Sequence, residues 1–232
     1  MKKSLFAFVM FMTFALTACG GSDTKDTAAK ETSVKKAEAQ KLEAVLIESG
    51  YSCNTTSSGD VYLNYSATIN NPNDEYAFEF PKIIITAKDK DGKIVGNEEQ
   101  TLFAIAPNDT ITFGSLVDCN GIVPDAVEIM ASSGNFIFSN DSIIPSSNFV
   151  ISNTNEIIGN YDISYTGEIE NIGDKDVKCV AITLTLKDNG NIVYGSTSYV
   201  DDVLSGQKKA FEFSEYNVPE HTEYIISAQS WR

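Results

Sequence analysis

One alternating stretch occurs twice in this chain, and that repetition limits the fold more than any other feature. Val61, Leu63, Tyr65, Ala67 and Ile69 sit at every second position, with mostly polar residues between them. Tyr161, Ile163, Tyr165, Gly167 and Ile169 do the same further along, and Asn71 and Asn171 follow at matching places before a turn. Side chains of a strand point alternately to its two faces, so strict alternation predicts a strand with one buried face. A repeat of this kind describes one supersecondary unit used twice.

The match continues past the first strand. Ile83–Asp89 aligns with Ile182–Asp188, and both runs lead into glycine turns, Lys90-Asp91-Gly92 and Asn189-Gly190. Asn-Gly between β-rich runs signals a hairpin, because both residues tolerate positive φ. Ile94-Val95 and Ile192-Val193 come next, then Phe113 and Phe211, then Val123-Pro124 and Val218-Pro219. Each copy holds several short strands with turn chemistry between them and no helical periodicity. The expected fold is all-β: two tandem antiparallel immunoglobulin-like β-sandwich domains after a signal peptide and flexible linker. The domains are expected at 42-138 and 145-232, with a short linker near Ser139–Ser147 placing them end to end.

The run Ile169-Glu-Asn171, Leu184-Thr-Leu-Lys-Asp188, Gly190, Val193, Leu204-Ser-Gly206 and Phe211 resembles the FxLYD domain. The resemblance covers about residues 145 to 232, and extends to about 42 to 135 through the repeat. It implies an immunoglobulin-like sandwich of a kind found in exported and membrane-attached bacterial proteins. Leu184 and Lys187 stand where that motif has Phe and Tyr, and the first copy keeps only Asp89. The resemblance transfers no functional residue.

The N-terminus carries a different signal. Lys2 and Lys3 precede an apolar stretch from Leu5 to Ala15, too short to span a bilayer as a helix of about 20 residues. Leu16-Thr17-Ala18-Cys19-Gly20 then resembles the lipobox of bacterial lipoproteins. That resemblance implies cleavage after residue 18 and a diacylglyceryl group on the Cys19 thiol. Two acyl chains hold a protein durably at a membrane. Residues 19-41 are mostly small or charged and predict a flexible tether, with a fleeting helical tendency around Lys35–Leu46. The expected location is extracytoplasmic, anchored to the bacterial membrane by the N-terminal lipid.

The formal charge is -15 at pH 7, and loss of Lys2 and Lys3 with the leader takes it two units lower. Such a chain is repelled by nucleic acid and by anionic lipid surfaces, which argues against a nucleic-acid partner. Beyond Cys19 the cysteines are Cys53, Cys119 and Cys179. Cys53 and Cys119 fall in one expected domain, so they are the candidate disulfide pair; buried free thiols are the alternative, and the sequence does not choose. Cys179 opens an apolar strand and reads as core.

Few residues suggest chemistry. His221 is the single histidine, in Pro219-Glu-His-Thr-Glu223, with no Gly-x-Ser-x-Gly elbow and no His-Glu-x-x-His motif; it reads as a surface residue. Asp89-Lys-Asp-Gly92 fails as a calcium loop, since Ile94 and Gln100 stand where Gly and Glu are required, and it reads as a turn. Asp201 and Asp202 would approach a cation only if strand pairing brought them to Asp188. Tyr65, Tyr165, Phe113 and Phe211 read as core, while Tyr62, Tyr76 and Tyr199 are undetermined. No catalytic set, metal site or cofactor is expected. The function class is a non-enzymatic module binding a protein or cell-envelope polymer, with a spacer of the envelope second and an envelope hydrolase third. Solute capture for a transporter fits poorly, because no alternation of strands and helices is visible.

Overall fold

The computed structural model describes residues 40–231. The expected signal peptide, Cys19 and nearly all of the tether lie outside the described residues.

The first copy contains two three-stranded antiparallel sheets. β1 (Val45–Thr55), β2 (Val61–Asn70) and β7 (Thr110–Asp118) pair in the order β1-β2-β7. β4 (Lys82–Lys88), β5 (Ile94–Thr101) and β8 (Ala126–Ser132) pair in the order β5-β4-β8. A small third sheet of β3 (Tyr76–Glu79), β6 (Ala104–Ile105) and β9 (Asn135–Phe138) belongs to this copy alone. In the second copy β10 (Phe149–Ile158), β11 (Asp162–Asn171) and β14 (Lys208–Tyr216) repeat the first sheet. β12 (Val177–Asp188), β13 (Asn191–Val203) and β15 (Glu223–Ser230) repeat the second, in the order β13-β12-β15. The fold is all-β and sandwich-like, as the alternation predicts. Val45 and Leu46 open β1, so the helical tendency expected there is replaced by strand pairing with Ile69 and Asn70.

The repeat holds at the level of register. Ala67 faces Phe113 in one copy, and Gly167 faces Phe211 in the other. The hairpin before the Ile-Val pair carries a register shift in both, between Ala87 and Lys88 and between Leu186 and Lys187. Asn71 and Asn171 are fully buried. The Asn71 amide donates to the carbonyls of Tyr76, Ile105 and Ala106, and Asn171 donates to Lys175 and Val203. Each asparagine therefore pins the connections around it, which a turn residue alone would not do. The last strands align differently from the sequence reading. Lys88 faces Ala126 and Lys187 faces Glu223, so Pro124 corresponds to His221, and the loop that leads into the last strand, Cys119–Asp125 in the first copy and Asn217–Thr222 in the second, is one residue shorter in the second.

Each copy has its own core. One gathers Val61, Leu63, Tyr65, Ala67 and Ile69 with Ile83, Ile85, Phe113 and Val117. The other gathers Tyr165, Ile169, Val180, Ile182, Leu184, Leu186 and Phe213. The copies do not sit end to end. The outer face of the β1-β2-β7 sheet packs on the outer face of the β13-β12-β15 sheet, with β13 lying across all three strands of the first copy. Strand β12 is consequently buried on both faces: Val180, Ile182, Leu184 and Leu186 look into their own core, while Ala181, Thr183 and Thr185 are buried against the first copy.

Small residues make that stacking close. A Cβ on Gly195 would land well inside van der Waals contact distance of the Tyr65 carbonyl oxygen, and one on Gly114 would stand 2.7 Å from the Gly195 backbone. Gly50 meets the Ile192 backbone in the same way, at 2.5 Å. Sheets normally pack about 10 Å apart because side chains fill the gap; glycines let backbones approach more closely. The polar atoms in the gap are paired. Ser66 Oγ and Thr185 Oγ1 share a hydrogen bond of 2.7 Å. Thr197 Oγ1 donates to the Gly114 carbonyl at 2.8 Å and also meets Thr183 Oγ1 at 2.9 Å. Lys187 reaches both carboxylate oxygens of Glu48 at 2.8 Å. Trp231 follows the last strand, packs against the core of the first copy and stacks on Phe113 at 5.6 Å between ring centres. The connection between copies is fastened too, because Ser146 donates both its backbone N–H and its hydroxyl to Asp109.

Candidate functional site

The residues singled out from sequence separate into turns, core and one cluster. Asp89 closes its turn by accepting from the Asp91 and Lys93 backbone N–H groups, both at 2.9 Å, and Gly92 takes φ of 79°. Asp188 and Asp201 lie at opposite ends of the β12–β13 hairpin, since Asp188 faces Asn191 and Cys179 faces Asp201. Strand pairing therefore keeps Asp188 away from Asp201 and Asp202, and Asp202 lies 3.7 Å from the Lys178 ammonium instead. Tyr76 is buried, whereas Tyr199 is 46% exposed. Cys179 departs from the core reading: it is partly exposed and lines an open cleft with Tyr199 and Trp231.

Cys53 and Cys119 are free thiols in the first copy. Cys53 faces Leu63 on β2, and Cys119 donates its backbone N–H to Val61 on the far side of the same strand. With β2 between them, their backbones stand two strand spacings apart, roughly 10 Å. A disulfide needs Cα atoms within about 7 Å. Burial, with the neighbouring Cys53 adding to it, pushes the Cys119 thiol above its ordinary value.

His221 is not a surface residue. Its side chain is only 9% exposed, and all its hydrogen bonds stay within the second copy. Nδ1 lies 3.0 Å from the Pro219 carbonyl, which can only accept, so Nδ1 carries a proton. Nε2 lies 2.6 Å from Glu156 Oε1 and 3.0 Å from the Tyr165 hydroxyl. Burial first, then the hydrogen bond and charge of Glu156, push the Tyr165 phenol well above its ordinary value. The cluster thus joins β10, β11 and the β14–β15 loop through groups that satisfy one another. No serine or cysteine hydrogen-bonds to His221 among the described residues, and its hydroxyl neighbour is a buried phenol held neutral. That arrangement supplies an acid–base pair without an activated nucleophile. The sequence hid the cluster because its members are 56 and 65 residues from His221, and a loop of different length carries the imidazole.

The cluster forms one wall of an open cleft of about 430 Å³, where Glu156, Asp188 and Glu220 meet Ile158, Ile163 and Val218. A second cleft of about 230 Å³ shares Ile163 and Val218 and adds Tyr161, Asp162 and Glu215. Together they occupy the end of the second copy built by the β10–β11 hairpin and the β14–β15 loop.

No protein-family model matches the chain, and no curated protein matches it. Among solved structures it is similar to a calcium-binding mutant of Bacteroides uniformis beta-glucuronidase 2, with 16% identity and a TM-score of 0.23. The match covers 68% of this chain, and the chain spans 22% of that enzyme's length. A likeness of that size carries no inference about activity. No helix among the described residues is long and apolar enough to cross a membrane.

Proposed function

We propose that this chain is a lipid-tethered, extracytoplasmic lipoprotein whose duplicated immunoglobulin-like, FxLYD-like sandwiches form a non-enzymatic binding module for a protein or cell-envelope polymer. The tethering rests on the sequence Leu16-Thr17-Ala18-Cys19-Gly20 with Lys2 and Lys3 ahead of a short apolar stretch. The binding role rests chiefly on one observation: the groups that could perform chemistry hydrogen-bond to each other in the Glu156–His221–Tyr165 cluster, while what faces solvent beside them is shallow and open. The face-to-face stacking supports the same reading, because two sandwiches fused through paired threonines and glycines form a preorganised surface that loses little freedom on binding.

Anchoring is tested by metabolic labelling with a fatty acid. Label is expected in the wild type and absent in Cys19→Ala, which should also leave the membrane fraction. Binding is tested by immobilising the chain and exposing it to purified cell wall and to membrane and secreted proteins. Saturable capture of one component, lost when exposed loop residues are changed, supports the module. Absence of capture above a surface-scrambled control turns the reading toward an envelope spacer, and release of wall fragments would overturn both.

A further inference from the structure

The end of the second copy carries side chains that its own fold does not require. Ile158 is 78% exposed, Tyr161 88%, Tyr216 61% and Ile157 54%. Ile157 and Ile158 end β10, Tyr161 lies in the following turn, and Tyr216 faces Asp162 across the sheet. Exposed apolar side chains scattered singly are ordinary, but a cluster of large ones marks a contact surface.

The duplication provides an internal control. The matching hairpin of the first copy reads Asn54-Thr55-Thr56-Ser57-Ser58-Gly59-Asp60, and Asp118 stands where the second copy has Tyr216. That hairpin closes on itself: Ser58 Oγ donates to Asp60 at 2.6 Å, and the Gly59 N–H donates to the Thr56 carbonyl at 3.0 Å. The same strands are thus joined with no apolar residue in the turn. Tyr161 and Tyr216 of the second copy are surplus to folding, while Ile157 and Ile158 stand by register where the first copy has Ser52 and Cys53.

Charge narrows the partner. Glu156, Asp188 and Glu220 line the larger cleft, and Asp162 and Glu215 line the smaller one. No lysine or arginine lines either cleft, and none pairs with these five carboxylates among the described residues. Glu220 makes no hydrogen bond or ion pair there at all. The nearest lysine on β12, Lys187, is turned toward the first copy and engaged by Glu48. An acidic rim around apolar and aromatic side chains repels anionic lipid and repels a second copy of this acidic chain. It complements a segment that carries both positive charge and apolar side chains.

We propose that the β10–β11 end of the second copy is the docking surface for a protein segment that alternates lysine or arginine with apolar residues. This rests on the binding-module reading above and gives that module its site and its partner class.

The probe is a fluorescein-labelled synthetic peptide alternating lysine and leucine, titrated by anisotropy into the purified full chain in neutral detergent. Peptides with glutamate for lysine, or serine for leucine, serve as comparisons. Saturable binding of the lysine–leucine peptide alone is expected, weakened roughly tenfold by Tyr161→Ser with Ile158→Ser. Glu220→Gln should weaken it by about threefold and reduce its salt dependence. Ser57→Ala with Thr55→Ala, in the matching hairpin of the first copy, should leave it unchanged. Equal binding by the tip variant, equal loss in the first-copy variant, or no saturable binding at all would overturn the proposal. Tip-dependent binding to phosphatidylcholine–phosphatidylglycerol vesicles in place of the peptide would overturn it in favour of a lipid-inserting hairpin. If an envelope component is captured and the tip variant retains it, this inference fails while the binding module stands; if no component is captured either, both fail.

Discussion

Tyr65 and Tyr165 occupy the same position in two copies of one fold, and they meet different fates. Both rings are fully buried in the inward phase of the central strand. Tyr165 shares a hydrogen bond with His221, whereas the Tyr65 hydroxyl has no partner among the described residues. The register explains the difference, since the position matching His221 is Pro124, which carries no polar side chain. The first copy therefore bears a buried orphan hydroxyl, and the second has converted the same hydroxyl into part of a lock beside an open cleft. The core positions are shared because the fold needs them, and the copies diverge at loops, where the fold is indifferent.

The largest expected effect comes from breaking what joins the copies. Gly195→Val drives a branched side chain into the Tyr65 backbone, which has no room to retreat. It should cost about 3 kcal/mol in urea unfolding, and separate the two copies' transitions. His221→Ala comes next. It strands Glu156 and the Tyr165 hydroxyl in a half-buried site and should cost about 2 kcal/mol, while Pro124→Ala in the first copy should cost less than about 1 kcal/mol.

The tyrosines themselves should respond with opposite sign. Tyr165→Phe removes a made hydrogen bond and should destabilise by about 1 kcal/mol. Tyr65→Phe removes an unsatisfied hydroxyl and should leave stability unchanged or raise it by up to about 1 kcal/mol. Equal losses at both positions would erase the contrast between the copies.

A smaller effect should be common to both. Burial raises the Tyr65 and Tyr165 phenols above their ordinary value of 10.0, so the native state keeps protons that the unfolded state releases. The stability tied to these protons is fully present below pH 10 and is lost as pH rises beyond it. Each Phe variant should flatten that alkaline decline by a similar amount, measured by urea titrations at a series of pH values.

The sheets were legible in the sequence because alternation and turn chemistry are local. Val61 to Ile69 announced a half-buried strand, and Asn189-Gly190 announced a hairpin that adopts positive φ at both residues, 49° and 83°. The stacking of the copies was hidden by the character of the interface. Ala181, Thr183 and Thr185 alternate with apolar residues as a solvated face would, yet all three are buried, and Thr185 pairs with Ser66 across the gap. Gly50, Gly114 and Gly195 belong to no motif of the sequence, and only the opposing backbone gives them a reason. His221 reads as a surface residue in the sequence because a loop flanked by Pro219, Glu220 and Glu223 is a natural surface segment. Its partners come from strands far away in sequence. The disulfide question turned on which strand lies between Cys53 and Cys119, a matter of topology that spacing does not encode.

The two sandwiches behave as one stacked body. Trp231 is the only tryptophan, and it sits where the last strand of the second copy meets Phe113 of the first. The most direct test is to follow urea unfolding by Trp231 fluorescence and by far-ultraviolet circular dichroism on the same samples. Coincident transitions with a single midpoint are predicted, because undocking and unfolding are then one event. A fluorescence change completed well before the loss of strand signal would contradict the account, since it would mean that the copies part while each remains folded.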